Sequence, residues 1–321
     1  MQARQTALRS FRRDGRPVTA KPLLAAFLAA GLLVPAMVQA QQQPVPTPRA
    51  TGANLNISPK RVAFDRNHRS GSIYIFNQGS AAATFDISLI DRVMLPDGQI
   101  ISAAEAQAKP ETKVVADRLK SAQTILQVSP RRATLAPGEG QTVRLRVTGA
   151  GDDPAVNELR SHLTISTLPP RDSGTTAEAA AAATSASNEL RFQINALFGL
   201  SIPVIVRPNQ LDMRATIENP QISYQAPGGN PDAPGPRIPV LSFELVRLGS
   251  TSLFGNVEVR GVGQTKGEPL GVARGLGVYT EIDRRTVHIA LSRAPAPGEH
   301  LQVTFTDDDT TPGKLLAKTV L

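Results

Sequence analysis

The chain has 321 residues, room for about two domains of ordinary size, each with its own hydrophobic core. It contains no cysteine, which excludes disulfides, thiolate metal sites and cysteine nucleophiles; four histidines and no tryptophan narrow the chemistry further. Most of the +8 net charge is local: residues 1–40 carry Arg4, Arg9, Arg12, Arg13, Arg16 and Lys21 against Asp14, which leaves +3 spread over the rest and, with few aromatic residues, no basic face for nucleic acid.

The basic stretch runs into an apolar segment at 22–37 followed by Val38, Gln39 and Ala40, which put small residues at the minus-three and minus-one positions of a signal-peptidase site. The segment is shorter than the roughly 20 apolar residues that span a bilayer and contains two prolines, so it reads as an export signal cleaved near Ala40. Residues 41–53 read as a flexible leader without an apolar face.

Strand patterns follow at 55–64, 72–77 and 84–94, where Phe85, Ile87 and Leu89 alternate with Asp86 and Ser88 as in a half-buried strand. Residues 102–124 are rich in Ala, Lys and Glu and predict one or two short helices in an insertion outside the core. Strands resume at 125–128, 141–147 and 159–168, the last closed by Pro169 and Pro170. Residues 171–189 form a low-complexity Ala/Ser/Thr loop. The strongest period-two pattern comes next: Leu190, Phe192, Ile194, Ala196, Phe198, Leu200, Ile202, Val204 and Val206 occupy every even position, a strand much longer than the usual five or six residues. Further strands are predicted at 213–217, 238–248, 252–259, 285–291, 300–306 and 315–320. Many short strands without helix alternation predict an all-β chain of antiparallel sandwiches, divided near Pro208.

Catalytic chemistry finds little support. His68, His162, His288 and His300 are scattered, and His162, inside a predicted strand, reads as a satisfied structural histidine. The run Asp307, Asp308, Asp309 lacks the alternation of a cation loop and reads as a solvated turn, while the glycines of 261–277 read as hairpin turns. No catalytic residue, metal, cofactor or small-molecule substrate is expected.

Three segments together carry a specific resemblance: SPKRVAFDRNHRSGSIYIFNQG (58–79), ILQVSPRRATLAPGEGQTVRLRV (125–147) and FGLSIPVIVRP (198–208). Over most of 54–208 the chain resembles the amino-terminal domain of the PapD-like periplasmic chaperones of pilus assembly, as an atypical member; 209–321 match only loosely, through GNVEV (255–259) and the terminal LLAKTVL. The resemblance implies two immunoglobulin-like sandwiches arranged as a boomerang, an amino-terminal domain at 54–207 and a carboxy-terminal one at 208–321, in the periplasm. It implies binding of pilin (fimbrial) subunits by donor-strand complementation, a form of β-augmentation, and delivery to an outer-membrane usher. The donor face maps onto Ile194, Ala196 and Phe198, extended by Leu190 and Phe192; the other reading of these residues is that they pack their own core. Self-association of the free protein is a further use of the same strand.

Arg61 matches the family's anchor for a subunit's terminal carboxylate. The second anchor, a lysine four residues before the closing arginine, is Pro203 here, so either Lys60 or another base substitutes for it or the carboxylate is held differently. Two rival readings remain: an exported structural or adhesin-like protein that kept the fold without subunit capture, and an enzyme on the second domain using carboxylates such as Glu244 or Glu258.

Overall fold

The computed structural model describes residues 54–149, 155–168, 198–226, 235–264 and 266–321. The expected export signal and leader, the loop 171–189 and the donor positions Leu190, Phe192, Ile194 and Ala196 lie outside the described residues.

The chain opens with β1 (Leu55–Ser58) and β2 (Val62–Phe64), which belong to different sheets. The sequence predicts one strand over 55–64; Pro59, which has no N–H to give a ladder, sits at the switch, after a cis Ser58–Pro59 bond. Next come β3 (Ser70–Asn77) and β4 (Ala83–Ile90). A hairpin of β5 (Arg92–Met94) and β6 (Ile100–Ser102) leads into α1 (Ala103–Ala108) and α2 (Pro110–Arg118). Ser102 Oγ accepts from Glu105 N–H to cap α1, and Pro110 occupies the first turn of α2, where its missing N–H costs nothing. The sandwich resumes with β7 (Leu126–Ser129), β8 (Arg132–Leu135), β9 (Gly140–Val147), β10 (Leu159–Thr167) and β11 (Gly199–Val206).

Two sheets, β1-β3-β9-β7 and β2-β11-β10-β4-β8, face each other across a core that includes Ile73, Ile75, Phe85, Val143, Leu145, Leu163, Ile165 and Val204. Alternation decides the facing: in β9 the side chains of Val143, Leu145 and Val147 are buried while Thr142, Arg144 and Arg146 are exposed.

The second sandwich comprises β12 (Ala215–Gln225), β13 (Ile238–Arg247), β14 (Leu253–Gly261), β15 (Gly271–Val278), β16 (Arg284–Ala290), β17 (Leu301–Asp307) and β18 (Leu315–Val320). Its sheets are β12-β13-β16 and β15-β14-β17-β18, around Leu241, Phe243, Val257, Val259, Val303 and Phe305. The all-β architecture of two immunoglobulin-like sandwiches is therefore as the sequence predicts. The glycine-rich stretch 261–277 holds strand β15 as well as turns: Gly275, at φ +66°, gives the backbone a conformation other residues avoid where the pairing with β14 shifts register.

The helical insertion is less peripheral than its composition predicts. It has a small core of Val93, Ala106 and Ala116, yet Met94 is buried in the core of the second sandwich and Val115 packs against it.

Candidate functional site

β11 pairs antiparallel with β10 along its whole length, from Gly199 opposite Ser166 to Val206 opposite Leu159. On its other side β2 pairs in parallel, but only Val62, Ala63 and Phe64 against Val204, Ile205 and Val206. Among the described residues the stretch 199–203 consequently has one neighbour, not two.

Which backbone groups face that gap follows from the period of the strand. Thr167 N–H donates to Phe198 O at 2.8 Å, and Phe198 N–H donates to Thr167 Oγ1 at 2.8 Å, so Phe198 points its polar groups at β10. Arg207 N–H donates to Phe64 O at 2.8 Å, on the opposite side. Even residues therefore serve β10, and the odd ones, Gly199, Ser201 and Pro203, turn their backbone groups toward the line of β2. Pro203 thus removes no bond from the β10 ladder; its missing N–H lies on the edge, where proline is tolerated.

The side chains divide at Phe198. Ile202, Val204 and Val206 are buried in the chain's own core and Leu200 packs against it, whereas Phe198 is 55% exposed. For the even positions from Leu200 to Val206, self-packing is what the structure shows. Phe198 is the one donor position among the described residues, and its ring is free of that core.

By extension of the register, the residue level with Pro203 on the β2 side is Arg61. Its side chain is 9% exposed and reaches across to the second sandwich: Nη2 donates to Asp309 Oδ2 at 3.1 Å, and the guanidinium lies over the Phe254 ring, 4.6 Å from its centroid. Arg61 Nε and Nη1 are buried and have no acceptor. Lys60 is exposed and stands outside this network.

The second cation beside the shared carboxylate is Arg207, the residue after β11. Arg207 Nη1 donates to Asp309 Oδ2 at 2.8 Å, Nε to Glu158 Oε2 at 3.0 Å and Nη2 to Ser252 Oγ at 3.2 Å. Glu158 Oε2 also accepts from Ser252 N–H at 3.0 Å and Ser252 Oγ at 2.8 Å. Burial alone would raise the Asp309 carboxyl, but the Arg61 and Arg207 guanidiniums outweigh it and hold it below the usual carboxylate range. Burial likewise opposes the charge on Arg207, and Glu158 and Asp309 reverse the balance so that it is held above its ordinary value.

The sequence predicts a solvated turn at 307–309, and the structure overturns this. Asp307 is 1% exposed and organises the loop, accepting from Asp309 N–H at 3.2 Å and Thr310 N–H at 3.1 Å. Asp309 is thereby presented to the two arginines.

A second buried pair also joins the sandwiches. Arg160 of β10 donates Nη1 to Glu281 Oε2 at 3.0 Å and Nη2 to Arg92 O at 2.9 Å, and its guanidinium lies 3.7 Å above the Tyr279 ring centroid. Glu281 Oε1 accepts from Arg160 Nη2 and, at 2.7 Å, from Met94 N–H. Two residues along β10, opposite Pro203, His162 is 2% exposed with its ring edge-on to Tyr279. Neither ring nitrogen has a partner, so the expectation of a satisfied histidine fails. Burial, with Arg160, Arg92 and Arg61 nearby, pushes its pKa down to about 3.

The carboxylates of the enzyme reading are engaged elsewhere and apart. Glu244 accepts from Arg284 at 2.7 Å and Asn219 at 3.0 Å, while Glu258 accepts from Arg260 at 3.2 Å on the other sheet. Among the described residues no cluster of three or more His, Asp or Glu has metal-ligand spacing.

No protein-family model and no curated protein sequence matches the chain. Solved structures do. The YadV chaperone shares 12% identity over 83% of this chain and 99% of its own, at a TM-score of 0.40. The Escherichia coli chaperone DraB shares 12% over 84% and 96%, also at 0.40. The CsuC–CsuE chaperone and tip-adhesin-subunit complex of archaic chaperone-usher Csu pili from Acinetobacter baumannii shares 14% over 84% and 97%, again at 0.40.

Proposed function

We propose that the protein is a non-enzymatic periplasmic chaperone that captures pilin subunits by lending them a strand and passes them to an outer-membrane usher. The observation that carries this reading is the stretch of β11 between Phe198 and Pro203 that has no second strand beside it among the described residues, in line with β2 and ending level with Arg61. A guest strand laid there meets backbone groups at Gly199 and Ser201 and the exposed ring of Phe198. In the sequence, Leu190, Phe192, Ile194 and Ala196 continue the period-two apolar row to which Phe198 belongs. If the guest's terminal carboxylate lies at Arg61, its strand continues the line of β2 and runs parallel to β11.

The anchor in this reading is Arg61: Lys60 stands outside the network, and Arg207, whose Nε, Nη1 and Nη2 already donate to Glu158, Asp309 and Ser252, holds Asp309 in place and has no donor left for a guest. Two buried nitrogens of Arg61, Nε and Nη1, are without an acceptor, and an unsatisfied buried donor costs about 1–3 kcal/mol. A carboxylate arriving there relieves that cost and fixes register, since a slip of one residue would turn every guest side chain to the wrong face. Five apolar side chains along 190–198, at roughly 1.5–3 kcal/mol each before ordering costs, supply the larger share of the affinity.

Co-expression with a pilin encoded beside this chain tests the reading. A stable complex should form with the parent protein and be lost with Phe198→Asp, whose exposed position spares the fold. Equal recovery of the subunit with Phe198→Asp, or none with the parent, contradicts it.

A further inference from the structure

The face of the first sandwich away from β11 carries a second feature. The outward positions of β3, β9 and β7 form two rows of three across the sheet: Ser70, Arg146 and Gln127 in one, Ser72, Arg144 and Ser129 in the next. Each arginine is flanked by short polar side chains, so the rows enclose an open hollow of about 460 Å³, with Gly71 in its floor.

The electrostatics of this hollow are unbalanced. Arg144 and Arg146 are exposed and stand two residues apart on one face, and their guanidiniums make no hydrogen bond or ion pair among the described residues. The strands β1, β3, β7 and β9 contain no Asp or Glu, so no carboxylate of this sheet offsets the two charges. Almost every other arginine described above is held by a carboxylate or a carbonyl. Here two planar guanidinium forks, built for bidentate bonding to carboxylates, are left with hydroxyl and amide donors around them.

We propose that this hollow binds an extended acidic peptide segment, one with carboxylates two residues apart. The spacing is the argument. Residues i and i+2 of any strand lie about 6.7 Å apart on one face, so an Asp-x-Asp or Glu-x-Glu segment in extended form presents its carboxylates at the pitch of Arg144 and Arg146. Ser70, Ser72, Ser129 and Gln127 then donate to the remaining carboxylate lone pairs. Adjacent acids point to opposite faces of an extended chain and cannot engage both arginines. The site lies on the sheet opposite β11, so it remains open while β11 holds a subunit, and the proposal does not rest on subunit capture.

The test is a titration of the isotopically labelled full-length mature chain, followed by amide chemical shifts at low salt, where exposed charges are least screened. One peptide, acetyl-Thr-Asp-Thr-Asp-Thr-amide, is compared with its isomer acetyl-Thr-Asp-Asp-Thr-Thr-amide and with inorganic phosphate. Shifts should map to Ser70, Ser72, Gln127, Ser129, Arg144 and Arg146. The alternating peptide should bind at least about fivefold tighter than the isomer, and Arg144→Gln with Arg146→Gln should weaken it about tenfold or more. Both substitutions are on the exposed face, and an unchanged melting temperature confirms folding; Arg144→Gln alone serves if the pair lowers it. Equal binding of the two peptides, tighter binding of phosphate than of either, or shifts elsewhere would overturn the proposal.

Discussion

Arg61 and Arg207 donate to one and the same oxygen, Asp309 Oδ2, at 3.1 and 2.8 Å, so a single carboxylate of the second sandwich is held by both ends of the β2 and β11 edge. Removing it leaves Arg61 with no acceptor for any of its nitrogens, while Arg207 keeps Glu158. Asp309→Ala should destabilise the fold by about 3 kcal/mol, the scale of a broken buried pair. Asp308→Ala, at an exposed neighbour, should change it by less than about 0.5 kcal/mol. Urea unfolding of both variants, with an unchanged denaturant slope, checks the contrast.

His162 makes stability depend on pH. Its pKa is about 3 in the folded chain against an ordinary 6.5. Above pH 6.5 it is neutral folded or unfolded and adds no slope; as pH falls from there toward 3, only the unfolded chain takes up the proton. Stability should fall by about 2 kcal/mol between pH 7 and 5 from this group alone. His162→Leu should lack that share, so the difference between parent and variant in urea midpoints across this range isolates it. Parallel pH profiles would show that the ring is not buried in its neutral form.

The Arg160–Glu281 pair predicts a third result. Glu281→Ala strands a fully buried guanidinium and should cost about 3–5 kcal/mol. The double variant Arg160→Met with Glu281→Leu should recover much of that loss, because apolar groups of similar size need no partner. A thermal melt of the single and double variants measures it.

Proline placement separates the two sides of β11. Ser201→Pro removes an N–H from the open side and should cost little beyond the 2.9 Å contact between Thr164 Oγ1 and Ser201 Oγ, about 1 kcal/mol, yet abolish subunit capture. Leu200→Pro removes an N–H that faces β10 and should damage the fold itself, by about 3 kcal/mol or more. Circular dichroism of both variants, beside the co-expression assay, checks the pair.

Period-two alternation made most strands legible, because in a sandwich one face of each strand is buried: β9 and β17 can be read residue by residue from hydrophobicity. It failed at β15, where Gly271, Gly275 and Gly277 dilute the pattern; the backbone comes close to Ile289 at Gly271, so a side chain there would collide. The export signal and four of the five donor positions lie outside the described residues, and Phe198 alone can be placed. Arg61 was legible through the resemblance. Glu158, Asp309 and the pairing role of Arg207 were not, since a lone acid in a turn carries no local sign of the distant guanidinium that buries it. Pro203, which breaks the expected pattern, becomes intelligible once the direction of its missing N–H is known.

The most direct measurement is amide hydrogen exchange of β11 in the free protein and in its complex with a pilin subunit. Leu200 and Ile202, which face β10, should be protected in both states. Gly199 and Ser201 should exchange quickly in the free protein and become protected in the complex. If these two amides stay unprotected with a subunit bound, or are already protected without one, β11 is not the strand that is lent.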